Sequence, residues 1–290
     1  MPVYVEPDDG KEPVLRFIRS SRRFLLMNFY LIDDSDVLKA VSDTIKRGAQ
    51  VRIIYDGRPY GDSDVTAEVK ALNMSGAKVR RSPAAFDRPG VFDHAKYMVN
   101  ERQALIGTAN MTAAAFGRNR EFIYITKDRA IRKSLISLFN SDWDGKETPR
   151  VTPKIITSPG SETSVSSLVS RAIIAESEEI GDSKPVMEAF RKRGRHVRLV
   201  LPSTISASDR KNAELLRESH VHVRLMDAKK LYMHAKAIVG RDFAFIGSQN
   251  FTSTSLQKNR EVGVILRGGF FERRKVRRTV LHDYSEAQKA

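Results

Sequence analysis

An α/β fold built twice in one chain is what this sequence predicts, and three observations carry it. Short blocks recur at a fixed offset, strand-like runs alternate with helix-like runs in the same order in each half, and a polar, proline-containing stretch separates the two. His94-Ala95-Lys96 returns as His234-Ala235-Lys236, Gly107-Thr108-Ala109-Asn110 as Gly247-Ser248-Gln249-Asn250, and Asn119-Arg120-Glu121 as Asn259-Arg260-Glu261. Each pair lies 140 residues apart. One offset shared by three blocks marks duplication of a structural unit.

The likeness extends outward. Val51-Arg52-Ile53-Ile54 matches Val197-Arg198-Leu199-Val200, each behind an Arg-Gly pair, Arg47-Gly48 and Arg193-Gly194. Residues 138–143 resemble 281–284. Residues 145–154 read as the linker, which gives units of 1–146 and 147–290. In each unit a strand (24–31; 171–175) leads to a helix (35–47; 185–193), a buried strand (51–55; 197–201), a second helix (66–75; 208–218) and a short strand (78–80; 221–225). Two strands then carry the His-x-Lys and the approach to the glycine. A strand after Asn-Arg-Glu and a closing helix (129–139; 271–284) complete the unit. Such alternation predicts helices layered on a mixed sheet.

Composition narrows the function. The 290 residues are 41% hydrophobic and 29% charged, an ordinary globular balance, and they contain no cysteine, which excludes disulfides and thiolate metal sites. The apolar run at 24–32 is too short to span a bilayer and contains Asn28. The first ten residues carry Glu6, Asp8 and Asp9 and no apolar core of a signal peptide, so a cytoplasmic location is the favoured expectation. The net charge is +15, with 25 Lys and Arg against 20 Asp and Glu in residues 1–150 and 25 against 15 in the remainder. A polyanionic partner, nucleic acid or an anionic phospholipid surface, fits this charge; a solvated basic surface without a partner is the plainer alternative.

The repeated blocks bring together a base, a cation, a hydroxyl and an amide. In a strand, residues two apart face the same way, so His94 projects with Lys96 and His234 with Lys236. Each glycine follows its histidine by 13 residues, a spacing that suits a hairpin returning Thr108 and Asn110, or Ser248 and Asn250, to the same place. A phosphate diester requires such a set: a nucleophile, and donors for the charged oxygens. Packing alone does not require His, Lys, Asn and Glu to recur together. His220 and His222 lack this surrounding pattern and any carboxylate cluster, and read as a surface pair; no metal site and no cofactor are expected.

These blocks resemble the paired His-Lys-Asp motifs of the phospholipase D superfamily over nearly the whole chain. The resemblance implies two α/β/α units related by a pseudo-twofold axis with the active site at their interface, so that a monomer suffices for a complete site. It implies a metal-independent phosphodiesterase working through a phosphohistidine. His94 is then the nucleophile and His234 the general acid and base. Lys96, Lys236, Asn110 and Asn250 hold the non-bridging oxygens, supported by Thr108 and Ser248, while Glu121 and Glu261 orient the histidines, each across the interface. The chain departs from the family at the aspartate seven residues after the histidine. Glu101 stands there in the first unit and Arg241, followed by Asp242, in the second.

For the substrate, charge favours nucleic acid, with single strands first. Residues 80–92 mix arginines and aromatics before His94, and Lys229, Lys230 and Tyr232 precede His234. Arg81, Arg88, Phe92, Phe116, Arg118, Lys229 and Lys230 are the candidate nucleic-acid contacts, cations for phosphates and rings for bases. The alternatives are a phospholipase D or cardiolipin synthase-like enzyme acting on phosphatidyl groups, and a non-catalytic nucleic-acid-binding protein.

Overall fold

Side-chain caps fix where several helices begin. In the computed structural model, which describes residues 2–61 and 64–289, the Asp34 carboxylate accepts from the amides of Asp36 and Val37 at the start of the helix Ser35–Lys46. Asp128 caps Arg129–Trp143 in the same way, and Ser206 caps Ala207–Glu218. Each supplies an acceptor to backbone donors that have no partner in a first helical turn.

The strands form two eight-stranded mixed sheets. In the first the order is Val3–Glu6, Asn119–Thr126, Ala104–Gly107, Lys96–Asn100, Phe24–Phe29, Gln50–Tyr55 and Lys78–Arg81, and Tyr232–Met233 pairs with Asn119–Thr126 beyond that path. The second runs Gln288–Lys289, His222–Met226, Arg198–Pro202, Ala172–Glu176, Ala237–Gly240, Ala244–Gly247, Glu261–Leu266 and Ile155–Ser158. Strands 24–29, 50–55 and 78–81 are parallel, as are 172–176, 198–202 and 222–226; the motif strands are antiparallel to them. Two duplicated α/β units with mixed sheets are therefore present. Three apolar cores hold them. One lies outside each sheet, under its own helices, and a central one is shared by both sheets and by the helices Arg129–Trp143 and Phe270–Glu286.

Each unit also opens on a strand and helix that the sequence pattern did not reveal: Val3–Glu6 with Glu12–Arg19, and Ile155–Ser158 with Glu162–Val169. These strands are four residues long, too short for periodicity to register. The linker has no regular structure but is not loose. Thr152 N donates to Ser134 Oγ, and Thr148 Oγ1 accepts from the buried Arg260.

The halves exchange backbone where it matters most. Tyr232 and Met233 pair with Asn119 and Arg120, and the equivalent Asp93 bridges to Arg260. His94 N donates to Arg260 O, and Arg260 N to Phe92 O, both at 2.9 Å. The chain entering each histidine thus lies beside the other unit's Asn-Arg-Glu strand.

Candidate functional site

This exchange explains how the motif residues meet. His94 and His234 do not lie within the strands that follow them, which begin at Lys96 and Ala237. They sit on the lead-in segments, docked across the interface. That corrects the expectation of one continuous strand through His-x-Lys. Each lysine still turns back toward its histidine: Lys96 Nζ donates to His94 O at 2.9 Å and Lys236 Nζ to His234 O at 2.7 Å.

Carboxylates cross between the units. Glu261 Oε2 lies 3.0 Å from His94 Nδ1, and Glu121 Oε1 lies 2.7 Å from His234 Nδ1, the latter at ion-pair distance but off the hydrogen-bond axis. With Nδ1 engaged, each ring keeps Nε2 for chemistry. The carboxylates are themselves held. Asn119 Nδ2 donates to Glu121 Oε1 at 3.3 Å, and Asn259 Nδ2 and Ser255 Oγ donate to Glu261 Oε1 at 3.2 and 2.6 Å. Thr108 donates to Glu121 and accepts from Phe122 N. Ser248 Oγ accepts from Val262 N at 3.0 Å and hydrogen-bonds Glu261. Both hydroxyls are fully buried behind the carboxylates, so they are not the phosphate supports the spacing suggested; the turn places them against the glutamate strand. The preceding glycines allow that approach. A Cβ on Gly107 would lie 2.4 Å from Phe122 O, and one on Gly247 2.7 Å from Gly263 Cα.

Asn110 and Asn250 are buried, and the side-chain oxygen of each has no partner within the protein. Each unsatisfied atom is an acceptor, so a ligand would complete it with a donor, or bind a phosphate oxygen through Nδ2 with the amide turned over.

The middle residue of each Asn-Arg-Glu block is a clasp that sequence reasoning missed. Arg120 grips Asp283 through Nε and Nη2 at 2.7 and 2.9 Å and reaches Asp8 at 2.9 Å. Arg260 meets Asp142 and Thr148, each at 2.8 Å, and its guanidinium lies 4.2 Å from the Phe86 ring centroid. Each arginine is thus tied to the closing helix of the other unit. The signal was present in the likeness of 138–143 to 281–284, which contains both aspartates. The departures at the family aspartate keep a structural role. Glu101 accepts from the amides of Arg22 and Arg23, and Asp242 forms a bidentate pair with Arg171.

The two halves differ beside their lysines. Asn28 pairs with Tyr97 and Glu176 with the equivalent Ala237, so two residues further on Tyr30 and Glu178 are counterparts. In the first half the Tyr30 ring lies 4.8 Å from the His94 ring and 5.2 Å from Lys96 Nζ, its hydroxyl accepting from Tyr60 N. In the second, Glu178 Oε2 lies 2.7 Å from Lys236 Nζ and 3.5 Å from His234 Nε2, and Glu178 Oε1 accepts from the Tyr232 hydroxyl at 2.9 Å. Nothing in the sequence repeat pointed to Glu178, because the repeat breaks there.

Electrostatics follow this asymmetry. Burial, then the charges of Lys96 and Lys236, pushes His94 well below its usual range, so it is neutral at pH 7. Burial and Lys236 bring Lys96 down to about 7. Burial raises Glu261 to about 7, against the pull of Lys96 and the hydrogen bonds of Ser248, Ser255 and Asn259. On the other side burial is outweighed. His234 and Lys236 hold both Glu121 and Glu178 below the usual carboxylate value.

The candidate nucleic-acid contacts divide. Arg118, Lys229 and Lys230 are exposed on one rim, where Arg118 O accepts from Tyr232 N. Arg88 is exposed on the other, near Phe92, which is partly buried and edge-on to Tyr30 at 6.1 Å. Arg81 is exposed but ion-paired with Asp87, which spends its charge within the loop. Phe116, at 6% exposure, belongs to the first unit's outer core and is not placed to stack on a base.

The sequence profile of a family described as "Cardiolipin synthase, PLD-like domain" matches residues 14–143 and 170–275. "Cardiolipin synthase A" of Pseudomonas entomophila (strain L48) is 28% identical over 126 residues, 43% of this chain and 26% of that protein. "Mitochondrial cardiolipin hydrolase" of Homo sapiens is 24% identical over 131 residues, 45% of this chain and 50% of that protein. The matched stretches thus span a quarter to a half of those relatives. Among solved structures, phosphatidylserine synthase from Haemophilus influenzae Rd KW20 aligns with a TM-score of 0.71 at 9% identity, covering 99% of this chain and 89% of that one. Polyphosphate kinase from Porphyromonas gingivalis aligns at 0.70 and 15% identity, covering 98% and 49%. At such identities these two are likenesses of fold.

Proposed function

The chain belongs to the phospholipase D-like family, and from that premise we propose that it is a metal-independent phosphodiesterase acting on nucleic acid, single strands first. The carrying observation is the crossed pairing of two histidines with two carboxylates, which leaves two Nε2 atoms, two lysines and two unsatisfied asparagines around one site.

In the proposed reaction His94, neutral and held by Glu261, attacks phosphorus through Nε2. The P–O bond to the leaving group breaks as His234 gives that oxygen a proton. His234 then removes a proton from water, and the water oxygen displaces His94 from phosphorus. Lys96 and Lys236 take the charge of the non-bridging oxygens, with the Asn110 and Asn250 amides beside them. Burial and the cationic surroundings of His94 favour its free base, which supports its role as the nucleophile.

The basic rims and the net charge of +15 support a nucleic-acid substrate. A phosphatidyl substrate is the second reading, supported by the names of the curated relatives. Among the described residues no helix is long and apolar enough to cross a membrane. The deciding assay incubates the protein in EDTA with single-stranded DNA, duplex DNA, RNA and cardiolipin-containing vesicles side by side. Cleavage of an oligonucleotide without lipid hydrolysis is expected. Lipid turnover alone overturns the substrate, and activity that EDTA abolishes and a divalent ion restores overturns the mechanism.

A further inference from the structure

We infer that Glu178 stands in for a substrate phosphate oxygen in front of His234 and Lys236, so that the resting site is liganded by its own carboxylate and a phosphate must displace it. This rests on the phosphodiesterase reading. Glu178 Oε2 is bound by Lys236 Nζ at 2.7 Å and lies 3.5 Å from His234 Nε2, the nitrogen that the Glu121 contact leaves free. The carboxylate thus occupies the space in front of Lys236 and His234 that the non-bridging and leaving oxygens of the substrate take in the reaction proposed above.

The side chain has room to leave. Lys236 is wholly buried, whereas the Glu178 side chain is 20% exposed and so forms the solvent side of the contact. Its second oxygen is steadied by the Tyr232 hydroxyl. Its charge persists, because His234 and Lys236 outweigh burial.

Among the described residues no carboxylate pairs with Lys96 in the first half. Its counterpart, Tyr30, offers Lys96 the face of a neutral ring. The Glu178 charge reaches Lys96 and His94 too, but it touches only Lys236 and His234, so an arriving phosphate engages the second half by exchanging places with Glu178. After hydrolysis the carboxylate can return to Lys236 and expel the product. Glu178 thus weakens ground-state binding and hastens release.

The test is calorimetric binding of inorganic phosphate to the wild type, Glu178→Gln, Glu178→Tyr and Glu179→Gln, with thermal melts in parallel. Removing one like charge a few ångströms from the bound anion should tighten phosphate by about tenfold or more. KM for bis-p-nitrophenyl phosphate should fall with it, and phosphate should inhibit at correspondingly lower concentration. Glu178→Tyr, which installs the first half's residue, carries the same expectation should Glu178→Gln melt too low to measure. Glu179→Gln, whose carboxylate feels Lys236 without touching it, should tighten phosphate by less than either Glu178 variant. If the wild type binds phosphate and neither Glu178 variant binds it more tightly, the role of Glu178 is overturned and the phosphodiesterase reading stands. If no form binds phosphate or cleaves the reporter, both fall together.

Discussion

Tyr30 and Glu178 hold the same backbone position in two copies of one scaffold, yet one presents a neutral ring to its lysine and the other an anion. Around them the histidine, lysine, asparagine, crossed carboxylate and clasping arginine are matched. On the proposed mechanism, the difference would give a duplicated unit two roles without changing its motif. Lys96, buried beside Lys236 and faced by a neutral ring, falls to about 7 and helps keep His94 unprotonated. In the other half Glu121 and Glu178 both stay ionised around His234. A nucleophile requires the first environment and a proton donor the second.

The largest effect should come from the histidines, and it should be unequal in kind. On bis-p-nitrophenyl phosphate, whose leaving group needs little acid assistance, His234→Ala should release one equivalent of p-nitrophenol in a burst and then stall. Its steady rate should fall by about 10²–10⁴-fold. His94→Ala should show no burst at all. A burst from His94→Ala and none from His234→Ala would exchange the two assignments.

A smaller effect concerns pH. A lysine lowered to about 7 is charged below that pH and neutral above it, so phosphate affinity, read as kcat/KM, should decline above pH 7 in the wild type. Substrate phosphate favours the charged lysine, so the same limb in kcat should lie higher. Tyr30→Glu would give Lys96 the neighbour Lys236 has and move the kcat/KM limb upward. A wild-type limb near the ordinary lysine value of about 10.4 would remove this half of the comparison.

The smallest expected change is in salt dependence. Removing Arg118, Lys229 and Lys230 together should flatten the log–log slope of oligonucleotide binding by about 2, at roughly 0.7 per phosphate on single strands. Arg81→Ala should barely alter it, since Asp87 already neutralises that arginine. Equal slopes for the wild type and the triple variant would move the nucleic acid off this rim.

The duplication, the order of elements and the cluster of His, Lys, Asn and Glu could be read from the sequence because each leaves two copies at one spacing. What escaped reading has no such echo. Glu178 sits in Glu176-Ser177-Glu178-Glu179, where its counterpart is aromatic, and only strand register reveals the equivalence. Thr108 and Ser248 have the chemistry to bind phosphate, but which side of a turn a hydroxyl faces depends on the neighbouring strand. Phe116 shows the same limit: an aromatic near a motif can stack on a base or fill a core, and burial alone separates the two.

The arginine clasps have a consequence for synthesis. Arg120 is buried, and its bidentate partner is Asp283, separated from it by 163 residues of chain. Until Asp283 has been made, that guanidinium has only Asp8 as an ionic partner, whereas in the finished chain removing the Asp283 carboxylate would be destabilising by about 3–5 kcal/mol. Glu261, which holds His94, likewise arrives late. A nascent first half emerging from the ribosome therefore carries a histidine without its orienting carboxylate and a lysine without its opposite number. On the proposed mechanism, the hydrolytic centre would come into being only when the second half docks, leaving partly translated chains chemically silent.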